Sequence, residues 1–171
     1  MTKIETKITT FSSICVILLR EVRMERGIHQ AQIADWLNKP LNAWIKVETG
    51  NDRLTLSLFL RVCNLLQVTP SVVMATAERY AFLFNQNRWL VLFPESDTVE
   101  RDDLLMAANK YWTSLEGMNQ PANIPWPYSI LNGPIYNSDG SISIAPVFQF
   151  ALDPSFREFC QQPRPTSSAQ R

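Results

Sequence analysis

The chain has one histidine, five glycines and three cysteines in 171 residues, and its formal net charge is zero. Each scarcity excludes something. A single histidine, His29, cannot build a histidine-rich metal centre, and no Ser/His/Asp set is spaced for nucleophilic catalysis. Five scattered glycines leave no glycine-rich loop to cradle a phosphate. Three cysteines cannot all pair within one chain, and no CxxC or Cys/His cluster has metal-ligand spacing. Cys15 and Cys63 fall on predicted helix core faces, where a thiol acts as a small hydrophobe, which fits a reducing compartment. The apolar run at residues 14–19, ICVILL, stops at Arg20 and Glu21. It is too short for a membrane span or a signal-peptide core and lacks a cleavage site, so a cytoplasmic address and no membrane segment are expected. With these gaps the chain is expected not to be an enzyme and to need no metal or cofactor.

What is present reads as an ordinary globular protein, 46% hydrophobic and 19% charged, of one or two domains. Ten Lys/Arg stand against seven Asp/Glu up to Tyr80, and six against nine beyond it. A mildly basic front and an acidic back suit a nucleic-acid-binding head on a differently employed body. The first ten residues are polar and read as loose. SSICVILLREVRMERG then reads as a helix, with Ser12 or Ser13 as cap and Gly27 as stop. HQAQIADWL is a short second helix that turns Ile33, Ala34 and Leu37 inward. Asn38 tolerates a left-handed corner, Pro40 fits the first turn of the next helix, LNAWIKVE, and Gly50 ends it. A fourth helix, capped by Thr55, turns Leu58, Val62, Leu65 and Leu66 inward; a fifth starts at Thr69–Pro70.

Beyond Gln86 the pattern changes. RWLVLFP is either a buried strand or the end of a long helix, since periodicity does not separate the two. SDTVERDDLLMAANKYWTSLEG reads as a helix stopped by Gly117, with Glu95, Asp97, Glu100, Asp102 and Asp103 favouring its start and solvating a face. NQPANIPWPYSILNGP is proline-rich and irregular. IYNSDGSISIAPVFQF reads as a hairpin turned at Asp139–Gly140, with Ile142, Ile144, Val147 and Phe148 in a strand and Pro146 at an edge or bulge. DPSFREFCQ adds a helical turn or two. The aromatic set Trp89, Tyr111, Trp112, Trp126, Tyr128 and Phe148 fits the core of a small α+β unit, or else a ligand pocket or partner groove.

The first half carries a specific signature. Arg23, Gly27, Gln30, Ile33, Ala34, Leu37, Glu48 and Gly50 stand in the register of the Xre/Cro-type helix-turn-helix family, which residues from about Phe11 to Ala77 resemble. The resemblance implies an all-α five-helix helix-turn-helix domain over residues 11–80. A smaller α+β region with a hairpin follows over 81–160, then a disordered tail over 161–171. It also implies a sequence-specific transcriptional regulator, more often a repressor, that binds a pseudo-palindromic operator in double-stranded DNA as a homodimer. The apolar positions of the fifth helix exceed what one face needs and suggest the dimer contact, and the C-terminal region is left for a protein partner or small-molecule effector.

Carried over by register, Leu41, Asn42, Ile45 and Lys46 are the expected base contacts. Asn pairs with an adenine edge, Lys donates to guanine, and an aliphatic side chain meets a thymine methyl. Gln30, Thr49, Asn51 and Arg53 are the expected phosphate contacts, and Arg23 and Glu48 the expected buried ion pair. His29 stands where the family has a small capping residue. Trp44, where an aliphatic residue is usual, belongs with Ala43 and Val47 on the inward side. Asn38, Lys39 and Pro40 replace the usual residues of the turn. Leu41 and Ile45 either read thymine methyls or form a protein-binding face. The second choice makes the chain an antitoxin-like or adaptor module.

Overall fold

The computed structural model describes residues 4–93, 101–117 and 126–162. The start of the proline-rich segment, the acidic residues at 95–100 and the tail from 163 onward lie outside them. The described residues are mostly helical, with two small two-stranded sheets. The first part is β1 (Ile8–Thr10), α1 (Phe11–Glu25), α2 (Gln30–Trp36), α3 (Leu41–Glu48), α4 (Leu56–Leu65), α5 (Pro70–Gln86) and β2 (Leu90–Leu92). The second is α6 (Asp103–Gly117), a 3-10 turn at Ile130–Asn132, β3 (Ile135–Tyr136), β4 (Ile142–Ser143), α7 (Pro146–Leu152) and α8 (Pro154–Gln161).

Helix α1 is central because its middle is apolar on every side. All six residues of ICVILL are buried, against α5, α6, α3 and the 3-10 turn. A helix apolar all round needs neighbours all round. Each such side chain contributes about 1.5–3 kcal/mol when fully buried. One apolar cluster therefore runs without a break from Ile14 to Cys160. Part of the excess apolar surface of α5 is met inside the chain: Tyr80 and Phe84 lie 4.1 and 5.9 Å, ring to ring, from Phe148 of α7. Val72 and Phe82 of α5 stay exposed.

Several sequence expectations need correction. The start of the chain is not loose throughout: residues 8–10 pair in parallel with residues 90–92, which settles RWLVLFP as a strand. Thr10, rather than Ser12 or Ser13, caps α1, its Oγ1 accepting from the Ser13 amide at 3.0 Å. Pro40 is the N-cap of α3 rather than a residue of its first turn. The hairpin exists but is shorter than expected, pairing Ile135 with Ser143 and Tyr136 with Ile142. Val147 and Phe148 are helical, because Pro146 supplies a first-turn residue for α7. Asp102 and Asp103 are half-buried and bonded to the chain rather than only solvating a face. Asp103 accepts the Ile8 amide at 2.7 Å, and Asp102 accepts the Thr9 and Ser13 hydroxyls at 2.9 and 2.6 Å. Asp102 also accepts the Leu105 amide at 3.0 Å, so one carboxylate starts α6 and fastens it to the front of the chain.

Among the described residues no single helix is long and apolar enough to cross a membrane. Only α4 and α5 together reach that length, and they meet at 114°.

Candidate nucleic-acid interface

The α2–α3 corner is built from local chemistry. Gly27, at φ +64°, releases the chain from α1. The Gln32 side chain accepts the His29 amide at 3.0 Å, which steadies the start of α2. Asn38 takes the left-handed conformation, φ 53°, while the Lys39 amide bonds back to the Ala34 carbonyl at 2.9 Å. Ala34 is buried at the corner. Pro40 then fixes the entry to α3, whose first turn bonds back to its carbonyl.

Within α3, Trp44, Val47 and Glu48 are buried, Ala43 and Ile45 are half-buried, and Leu41, Asn42 and Lys46 are exposed. Trp44, only 3% exposed, is thus a core residue. Asn42 and Lys46, four residues apart, lie one turn apart on the outer face. Leu41 is 43% exposed beside them, and Trp36, at the end of α2, is 46% exposed.

Behind this face lies a buried ion cluster. Arg23 of α1 donates from Nε and Nη2 to the Glu48 carboxylate, Nη2 at 2.6 Å, and from Nη1 to the Ile28 carbonyl at 2.7 Å. Glu48 is 1% exposed. Removing one partner of such a pair strands a charge at about 3–5 kcal/mol. Two further residues join it: Gln30 donates to Glu48 Oε1 at 3.3 Å, and Arg20 approaches the same oxygen at 3.4 Å.

The Arg20 guanidinium carbon lies over Trp112 of α6, 3.7 Å from a ring centroid. The indole N–H of Trp112 donates to Glu21 at 2.7 Å. Burial is the main cause that pushes the Glu21 carboxyl up to about 7, with the hydrogen bond from Trp112 working against it. Burial likewise raises the Cys15 thiol to about 12 and Cys63 to about 11, so both stay protonated.

The loop after α3 holds the remaining expected contacts. Thr49 Oγ1 donates to the Ile45 carbonyl at 2.8 Å and accepts from the Asn51 side chain at 3.1 Å. Its hydroxyl proton is thus committed to closing the helix. Asn51 and Arg53 are exposed, and the Arg53 amide bonds to Asp52 at 2.8 Å. Gly50, at φ +81°, has Leu105 of α6 packed on it so closely that a Cβ there would run into the Leu105 side chain. A cleft of about 770 Å³ adjoins this loop, walled by Phe11, Leu56, Phe59, Phe93 and Leu105.

The eight expected contact residues thus fall on or beside α3, except that Gln30 also belongs to the buried cluster. The sequence pattern places Trp112 only in the aromatic set and does not bring Arg20 to this cluster. A helical spacing of three from Arg23 was a signal for Arg20; nothing local pointed to Trp112. Among the described residues no group of three or more His, Cys, Asp or Glu is arranged to hold a metal ion. No family model matches this chain, and no curated protein or solved structure does either.

Proposed function

We propose that the chain is a sequence-specific DNA-binding regulator of the Xre/Cro helix-turn-helix type, acting as a dimer on a pseudo-palindromic operator, more often to repress than to activate. One observation carries this reading. Asn42 and Lys46 project from the outer face of a short helix whose inner face is fixed by Trp44, Val47 and the Arg23–Glu48 pair. A rigid support behind exposed hydrogen-bonding side chains is what base reading in a major groove requires. In this reading Asn42 and Lys46 contact bases, with Leu41 and Ile45 beside them. Gln30, Asn51 and Arg53 contact phosphates. Thr49 serves by orienting Asn51.

The test is selection of bound sequences from a random DNA pool with the full chain, followed by binding at several salt concentrations. If ~4 phosphates are neutralised per dimer, log affinity falls against log salt with a slope near −4. Asn42→Ala and Lys46→Ala are expected to reduce discrimination between the selected site and other DNA, while Gln30→Ala weakens both alike. Affinity that ignores salt, or no enrichment of any sequence, refutes the proposal.

A second reading has its own observation. Trp36 and Leu41 are both large, apolar and exposed at the α2–α3 corner. Such a pair suits a protein partner, as in an antitoxin-like or adaptor module. Stoichiometric complex formation lost on Leu41→Asp, in a chain without DNA affinity, would favour it.

A further inference from the structure

Helix α6 makes one contact at the end of α3 and one with α1 beside it. Leu105 packs on Gly50, directly after α3. Seven residues on, and therefore on the same side of α6, Trp112 stacks on Arg20, which meets the buried Glu48 at 3.4 Å. Trp112 also fixes the neighbouring Glu21 through its N–H at 2.7 Å. The indole therefore holds two successive residues of α1 by two different interactions.

We propose that Trp112 is a positioning residue for α3, acting through Arg20 on Glu48, so that the α+β region sets the placement of the DNA-reading helix. This rests on the regulator reading above for its biological meaning, though not for its physics. The buried Glu48 carboxylate accepts hydrogen bonds from Arg23 and Gln30, and Arg20 brings a second positive charge to within 3.4 Å of it. Arg23 belongs to α1 and bonds locally to the Ile28 carbonyl, so its position does not depend on α6. Arg20 is the member whose guanidinium meets α6, through the face of the Trp112 ring. A guanidinium held there keeps its charge next to Glu48; one released from the ring gains rotamers that leave the carboxylate with less compensation. Anything that moves α6 therefore acts on the last turn of α3.

The experiment is amide hydrogen exchange on the full chain, comparing the α3 segment with α5. Trp112→Leu removes both ring and N–H; Trp112→Phe keeps a smaller aromatic ring beside Arg20 and loses the N–H. Arg20→Met tests the same link from α1, keeping an aliphatic stem on the indole. In Trp112→Leu and Arg20→Met, α3 is expected to exchange about ten-fold faster while α5 changes little, with Trp112→Phe close to the parent chain. Equal loss of protection in α3 and α5 in Trp112→Leu and Arg20→Met alike would reduce Trp112 to an ordinary core residue and overturn the proposal. So would an unchanged α3 in Arg20→Met. Binding of the selected DNA is measured in parallel. If the parent chain binds none while α3 responds as stated, the regulator reading fails and the coupling stands.

Discussion

Glu21 shows how one residue carries the environment of three helices. It belongs to α1, accepts from Trp112 of α6, and lies near enough to Tyr80 and Tyr111 to add to the rise that burial causes in both phenols. Its charged neighbours on α1 are Arg20, Arg23 and Glu25. Since its folded-state pKa is raised from 4.5 to about 7, the folded protein binds this proton more tightly than the unfolded chain. The resulting stabilisation is complete below pH 4.5 and fades as pH climbs to about 7. Glu21→Gln keeps an oxygen for the indole N–H and removes the titration. Urea unfolding at pH 5 and pH 8 is expected to show the parent chain losing about 2 kcal/mol more than the variant between the two. Parallel losses would mean that the carboxyl is solvated.

At this scale the sequence was partly legible. Arg23 and Glu48 could be paired in advance because the register of the surrounding residues is shared with a known pattern. Trp112 could not, because its contact with Arg20 spans 92 positions and has no local period.

Elements were legible where local rules and tertiary packing agree. Thr55 caps α4 as its position suggests, with Oγ1 accepting the Leu58 amide at 3.1 Å. The misread elements are those where packing decided. A three-residue β1 has no periodicity of its own; it exists because residues 90–92 and the carboxylate of Asp103 meet its backbone. In α7, two apolar residues after a proline fit a strand or a helix equally well until a core is present to receive Val147, Phe148, Phe150 and Ala151 together.

The end of α4 carries a strained position. Gln67 adopts φ 54°, and the following amide of Val68 returns to the Cys63 carbonyl at 2.9 Å. A glycine reaches that conformation freely, so Gln67→Gly is expected to stabilise the chain by roughly 0.5–1 kcal/mol, read as a higher urea midpoint. A lower midpoint would mean that the glutamine side chain contributes more than its backbone loses. Gly50 presents the opposite case: it needs its left-handed φ and has no room for a Cβ beside Leu105.

For the whole molecule, the composition change near residue 80 suggests two units, yet the buried cluster is continuous and α1 faces both. Asp102, Asp103, Glu21 and Glu25 all tie the two parts together, the last by accepting the Ser129 hydroxyl at 2.9 Å. Thermal unfolding of the full chain is therefore expected as one transition, with calorimetric and van't Hoff enthalpies equal. Two resolved transitions would show that the halves melt independently.

The β1–β2 ladder has a consequence for biosynthesis. Parallel pairing of residues 8–10 with residues 90–92 asks the nascent chain to hold β1 unpaired while some eighty further residues leave the ribosome. Helices α1 to α5 are all translated in that interval. Strand β1 is thus completed only after the five helices that separate it from its partner.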